Sequence, residues 1–251
     1  MEPLIDIWIR DWLSKLDETF ARTGEDFDIS WWAVFMTYDI ISEVGFGAPF
    51  GFVEKGVDTT FLKKYLVANP EDDSGIGVLM RFRDDLIEQR VQDLKTAKDI
   101  RRIDLLQTVL EARTENGEPL SMEYATAETL LVLLAGADTT GTIFQALIPY
   151  LLTHSAVDNN PQYHEILENL PYFVAYVRKT LLCGCAKHIS SSASWDMAMM
   201  ELFNGPLQFF YHYKPYQVKD TPEAKFMIKG GVGFWEDIWV RTEKRPLVRR
   251  V

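Results

Sequence analysis

Two short stretches carry the residue types that do chemistry. In LLVLLAGADTT, residues 130–140, an apolar helical run is broken by Gly136 and then by Asp138 and Thr139 side by side. A carboxylate next to a hydroxyl on one helix can pass protons to a reacting group. In CGCAKHIS, residues 183–190, stand the only two cysteines, with Lys187 and His188 just beyond them. Nearby positive charge favours the thiolate, the form of cysteine that attacks and that binds metals. Each stretch also has a plain structural reading. Gly136 permits close helix packing, Thr139 can satisfy its hydroxyl on a backbone carbonyl, and Cys183 and Cys185 can be incidental thiols or a redox-sensitive pair.

Other candidates are weaker. His154, His164, His188 and His212 lack the short spacing that a metal site built on one helix needs. Asp84, Asp85 and Glu88 read as the solvated face of a helix. No phosphate-binding glycine loop or dinucleotide fingerprint is present. The aromatic band Phe209, Phe210, Tyr211, Tyr213 and Tyr216 suits either a cavity lining or alternating core strands.

The elements that must position these residues are mostly helical. Leu4, Ile7, Trp8, Trp12, Leu13 and Leu16 recur at helical spacing within 3–22. Ser30 is placed to cap a second helix, which ends at the glycine-rich GFGAPFGF. Helices follow at 59–68, 76–96 and 103–113, then a long one over about 121–149 that begins at Ser121 and spans about 40 Å. Two more occupy 157–182, the second opened by Pro171, and another lies near 191–203. From about 207 to 241, LQFFYHYKPYQV, AKFMIKG and EDIWVR read as short strands. The expected architecture is a single domain over 1–251, mainly α with a small strand-rich C-terminal portion.

Composition agrees with a folded protein, at 47% hydrophobic and 13% aromatic. The net charge of −11 disfavours nucleic acid as a partner, although the tail VRTEKRPLVRR is locally basic. The first twenty residues carry acids throughout and do not read as a signal peptide or membrane anchor. No uninterrupted apolar run of membrane-spanning length is evident, so a soluble intracellular or cytoplasmic protein is expected. The paired cysteines fit a reducing compartment better than a disulfide scaffold.

Taken in order, several stretches resemble the cytochrome P-450 family. AGADTT, residues 135–140, is similar to the signature of that family's central helix. Ser30–Gly51 resembles an early helical segment of its fungal members, and LPYFVAYVRKTL, residues 170–181, a later helix before the heme-binding part. GCAKHI resembles a remnant of the heme loop, over about 183–190, and ASWDMAMMELF the helix behind it. The resemblance implies an incomplete P-450-like fold, a heme cofactor and monooxygenase chemistry on an apolar small molecule. It assigns Cys185 as the axial thiolate on heme iron, Asp138 and Thr139 as proton-relay residues, and Gly136 as the position that clears space beside the distal ligand. An electron-supplying reductase is the implied partner, and fungal secondary metabolism the implied setting.

Departures from the pattern are equally specific. Lys179 and Leu182 stand where the family has the acid and arginine of E-x-x-R, and most of the approach to the cysteine loop is missing. Three functions therefore stay open: a P-450-type monooxygenase, a heme-free small-molecule binder or non-redox cyclase, and an inactive fragment whose shortened core calls for a covering protein partner.

Overall fold

A computed structural model describes residues 2–56, 76–96, 104–153, 193–229 and 232–245. The described helices are α1 (Glu2–Leu16), α2 (Ile29–Phe46), α3 (Phe52–Lys55), α4 (Ile76–Lys95), α5 (Leu105–Glu111), α6 (Met122–Thr153) and α7 (Ala193–His212). The strands are β1 (Phe27–Asp28), β2 (Tyr213–Gln217), β3 (Lys225–Lys229), β4 (Val232–Glu236) and β5 (Trp239–Lys244). The helices expected over 59–68 and within 157–182 lie outside the described residues. The chain divides into two compact units. One comprises Met1–Met36, Thr139–Met227 and Gly233–Val251; the other comprises Thr37–Asp138 and Ile228–Val232.

In the first unit, the apolar stripe of α1 puts Ile5, Ile9 and Trp12 wholly inside. Trp12 is the centre of an aromatic cluster, 5.5 Å from Phe144 of α6 and 5.7 Å from Phe209 of α7, ring centre to ring centre. Its indole N–H donates to the carbonyl of Trp32 at 2.9 Å, which removes the cost of burying that polar group. β5 lies between β1 and β2, antiparallel to both, so Phe27 faces Val240 and Tyr216 faces Arg241 across the ladders. β3 and β4 form a separate two-stranded sheet.

Two local expectations change here. Asp28, and not Ser30, organises the start of α2: its Oδ1 accepts the backbone N–H of Ser30 at 3.0 Å and the Ser30 hydroxyl at 2.6 Å. The same carboxylate accepts the N–H of Ile238 at 3.0 Å, joining the helix start to the β5 approach. The strand-rich end starts later than about 207, because α7 continues through Pro206 to His212. Phe209 of α7 and Tyr213, the first residue of β2, have rings 5.7 Å apart, and Phe209 is fully buried. Alternation on a strand would turn adjacent Phe209 and Phe210 to opposite faces, whereas the helix leaves both buried.

In the second unit, Asp39 of α2 is fully buried, and its two oxygens accept the N–H groups of Phe52 and Val53 at 3.0 and 2.9 Å. A side chain thirteen residues upstream thus caps the four-residue α3. Gly51, at φ 72°, supplies the left-handed turn that aims those N–H groups back at Asp39. Phe50 stacks on Phe52 at 4.8 Å and meets Phe82 of α4 at 3.9 Å. Arg90 of α4 pairs with Asp104 at 2.7 Å, and the same Asp104 caps α5 by accepting the N–H of Gln107 at 2.9 Å.

The long helix begins where expected, with Ser121 Oγ accepting the N–H of Tyr124 at 3.1 Å. It extends past Pro149 to Thr153. An internal proline forfeits one backbone hydrogen bond, and the complete burial of Ile148 and near-complete burial of Leu147 offset that loss. Met122–Pro149 is long and apolar enough to cross a membrane, and a little over half of its most apolar window is buried in protein. Such a helix is also what the core of a soluble domain requires.

Candidate functional site

The centre of α6 offers two different faces. Leu133, Ala137 and Thr140 are buried, while Leu131, Ala135 and Thr139 recur every fourth residue and are exposed. Positions four apart lie one above the other along a helix. The exposed stripe is therefore apolar and small, with one hydroxyl, that of Thr139, at its C-terminal end.

Asp138 turns inward. It is 5% exposed, and its Oδ1 accepts the phenolic O–H of Tyr38 at 2.8 Å. Tyr38 is itself fully buried, with its ring 5.9 Å from Phe50 and 6.0 Å from Phe52. Gly136, half a turn before Asp138, faces Ile41 of α2: a Cβ there would stand 2.9 Å from both Cγ1 and Cδ1 of that isoleucine. The absent side chain lets α2 and α6 approach closely enough for Tyr38 to reach Asp138. The immediate neighbour of Gly136 is thus a packed side chain.

Burial sets the protonation of two further acids. It drives the Asp39 carboxyl above its ordinary range, opposed by the N–H groups of Val53 and Phe52 that favour the charged form. Glu201 of α7 is 2% exposed, its Oε2 has no hydrogen-bond partner among the described residues, and burial alone pushes its carboxyl well above 4.5. Periodicity marks neither acid as special, since a charged residue inside an apolar helix reads simply as the edge of its polar face. Tyr38 was equally hidden: its partner is one hundred positions away.

Lys179, Leu182, Cys183, Cys185, Lys187 and His188 lie outside the described residues. Among the described residues, no three His, Cys, Asp or Glu side chains gather to hold a metal ion. The α6 stripe offers apolar contact from Leu131 and Ala135 and the hydroxyl of Thr139. A phosphate or polyol would find too few donors there.

Comparison with known proteins accords with this geometry. Solved structures of cytochrome P450 share the fold. A cytochrome P450 described as CYP102L1 superposes with a TM-score of 0.70 at 14% identity, covering 96% of this chain and 73% of that one. The heme domain of cytochrome P450DA gives 0.68 at 16% identity, covering 97% and 72%. Residues 75–170 match the family Cytochrome P450. In sequence, the chain is similar to quiannulatic acid synthase of Emericella variicolor, 30% identical, over 71% of this chain and 45% of that protein. It is similar to benzoate 4-monooxygenase bphA of Aspergillus niger at 26% identity, over 70% and 44%. The chain has a cytochrome P450-family fold and is related to fungal cytochrome P450 proteins. It spans a little under half the length of these curated relatives.

Proposed function

We propose that this chain serves P450-type oxidation of an apolar small molecule in a fungal secondary-metabolic setting, with heme as its cofactor. The observation that carries the reading is the two-faced centre of α6, with Thr139 exposed and its neighbour Asp138 anchored inside by Tyr38. Cys185 is the residue proposed to hold the iron. Leu131 and Ala135 would take the flat face of the cofactor or the apolar substrate, excluding water from it. Thr139 would hold a proton at its Oγ1 beside the reacting centre, and Asp138 would resupply that proton by turning from the α2 side. Heme bound through a cysteine thiolate supplies the dioxygen activation that no amino-acid side chain can provide. An electron-supplying reductase is then the required partner.

A second reading, heme-free binding of an apolar molecule, is favoured by Lys179 and Leu182 standing in place of E-x-x-R. Reconstitution with hemin, followed by reduction under carbon monoxide, separates the two. A stoichiometric thiolate-type absorption band, lost in Cys185→Ala, supports the oxidative reading. Folded protein that shows no such band, yet binds apolar natural products, supports the second and removes the first.

A further inference from the structure

Tyr38 meets Asp138 in the interior of one compact unit, both residues at 5% exposure or below. Their hydrogen bond is 2.8 Å long and joins helices that Gly136 and Ile41 hold in tight contact. A phenol that donates to a buried carboxylate does two things. It favours the ionised form of the acid, and it fixes which way that acid points.

We infer that Tyr38 is a positioning residue for Asp138: it holds the carboxylate on the α2 side of α6 as a proton acceptor in reserve, leaving Thr139 as the polar group on the open stripe. As a role in catalysis this rests on the oxidative reading above; as a statement about the two side chains it does not. Tyr38 donates to one carboxylate oxygen, Oδ1, so Asp138 can take a proton on Oδ2 with that bond in place, and the donated bond favours the charged form of the acid. The other ionisable groups on α2 are Asp39, committed to the N–H groups of Phe52 and Val53, and Glu43. On α6 the preceding acid is Glu128, about three turns before Asp138.

The test follows the carboxyl carbon of Asp138 by NMR, in protein labelled with ¹³C at the aspartate side chains and assigned by Asp138→Asn. In Tyr38→Phe, the Asp138 titration midpoint is expected to rise by about one pH unit, the loss of one hydrogen bond to a charged group. A midpoint unchanged in a folded Tyr38→Phe overturns the inference. Should that variant not fold, the native chain answers instead: the Tyr38 ¹³Cζ resonance must move with the same midpoint as the Asp138 carboxyl, and independent titration overturns the pairing. In heme-loaded protein, the pH profile of turnover for Tyr38→Phe is expected to move in the same direction as the Asp138 midpoint, which a role in packing alone would not produce. Failure to take up heme defeats the oxidative function without touching the titration, so the two failures are separable.

Discussion

Gly136 and Ile41 are in a relationship of mutual exclusion: a β-carbon on the first would sit 2.9 Å from two side-chain carbons of the second. Replacing a helical glycine by alanine ordinarily stabilises by about 1 kcal/mol, because the unfolded chain then has less freedom to lose. Overpacking costs about 1–3 kcal/mol. Gly136→Ala is therefore expected to destabilise by about 1 kcal/mol in the native background, and to stabilise by about 1 kcal/mol when Ile41 is already alanine. A double-mutant cycle in urea measures both. The same sign in the two backgrounds would show that the contact does not limit helix approach.

Glu201 gives the fold a defined pH dependence. Its carboxyl is raised in the folded state by burial, so the folded chain holds the proton more tightly than the unfolded chain does. Its contribution is fully favourable below about 4.5, the ordinary value, and is lost as pH rises toward the folded value. Glu201→Gln, which cannot ionise, should lose less stability than the native chain as pH is raised from about 4.5 into the neutral range. The gap between them should widen as pH rises through that range. Parallel stability curves over that range would mean the acid reaches water or a partner.

Asp39 holds α3 from a distance. Asp39→Ala removes the acceptor for two backbone N–H groups and should cost about 2–3 kcal/mol, while Asp39→Asn keeps one acceptor and should fall between. Hydrogen exchange at Phe52 and Val53 should accelerate in the same order. Unchanged protection at both amides would assign their stability to the Phe50 and Phe52 stack instead.

Gln145 of α6 donates to the carbonyl of Ser30 at 2.9 Å and accepts the N–H of Trp235 at 2.8 Å. It thus ties the start of α2 and strand β4 to one buried side chain. Gln145→Leu leaves both backbone groups without that partner and should destabilise by about 2–4 kcal/mol. Gln145→Glu retains the acceptor and should preserve slow exchange at Trp235 while losing the Ser30 bond. Equal exchange rates at Trp235 in the two variants would argue against the bridge.

Much of the helical framework was legible in the sequence because apolar spacing and caps are local. Trp12, Leu13 and Leu16 of α1, the limits of α4 and the cap at Ser121 needed only a window of a few residues. So did Asp138 and Thr139, whose types stand out in an apolar run. Ile7 of the expected α1 stripe, by contrast, is exposed, and Ile5 and Ile9 take the buried positions. Where local signals competed, the sequence misled. Ser30 has the usual type for a cap, but Asp28 two residues earlier also reaches Ile238, and that distant bond decides the matter. LQFFYH is as aromatic as a strand, yet Trp12 and Phe144 offer a core that a continuing helix fills.

What the chain by itself determined is the inventory: one long apolar helix interrupted by Gly136, Asp138 and Thr139, and a cysteine pair far downstream. What only the tertiary structure decided is the division of labour within that inventory. Adjacent residues on a helix diverge by about 100°, but which of them faces protein and which faces open space depends on the helix that arrives from elsewhere. Here α2 arrives with Ile41 under Gly136 and Tyr38 beneath Asp138, which takes the carboxylate inside and leaves Thr139 on the exposed side. No window of sequence contains that contact, because its two partners are separated by one hundred positions and are joined only by close packing.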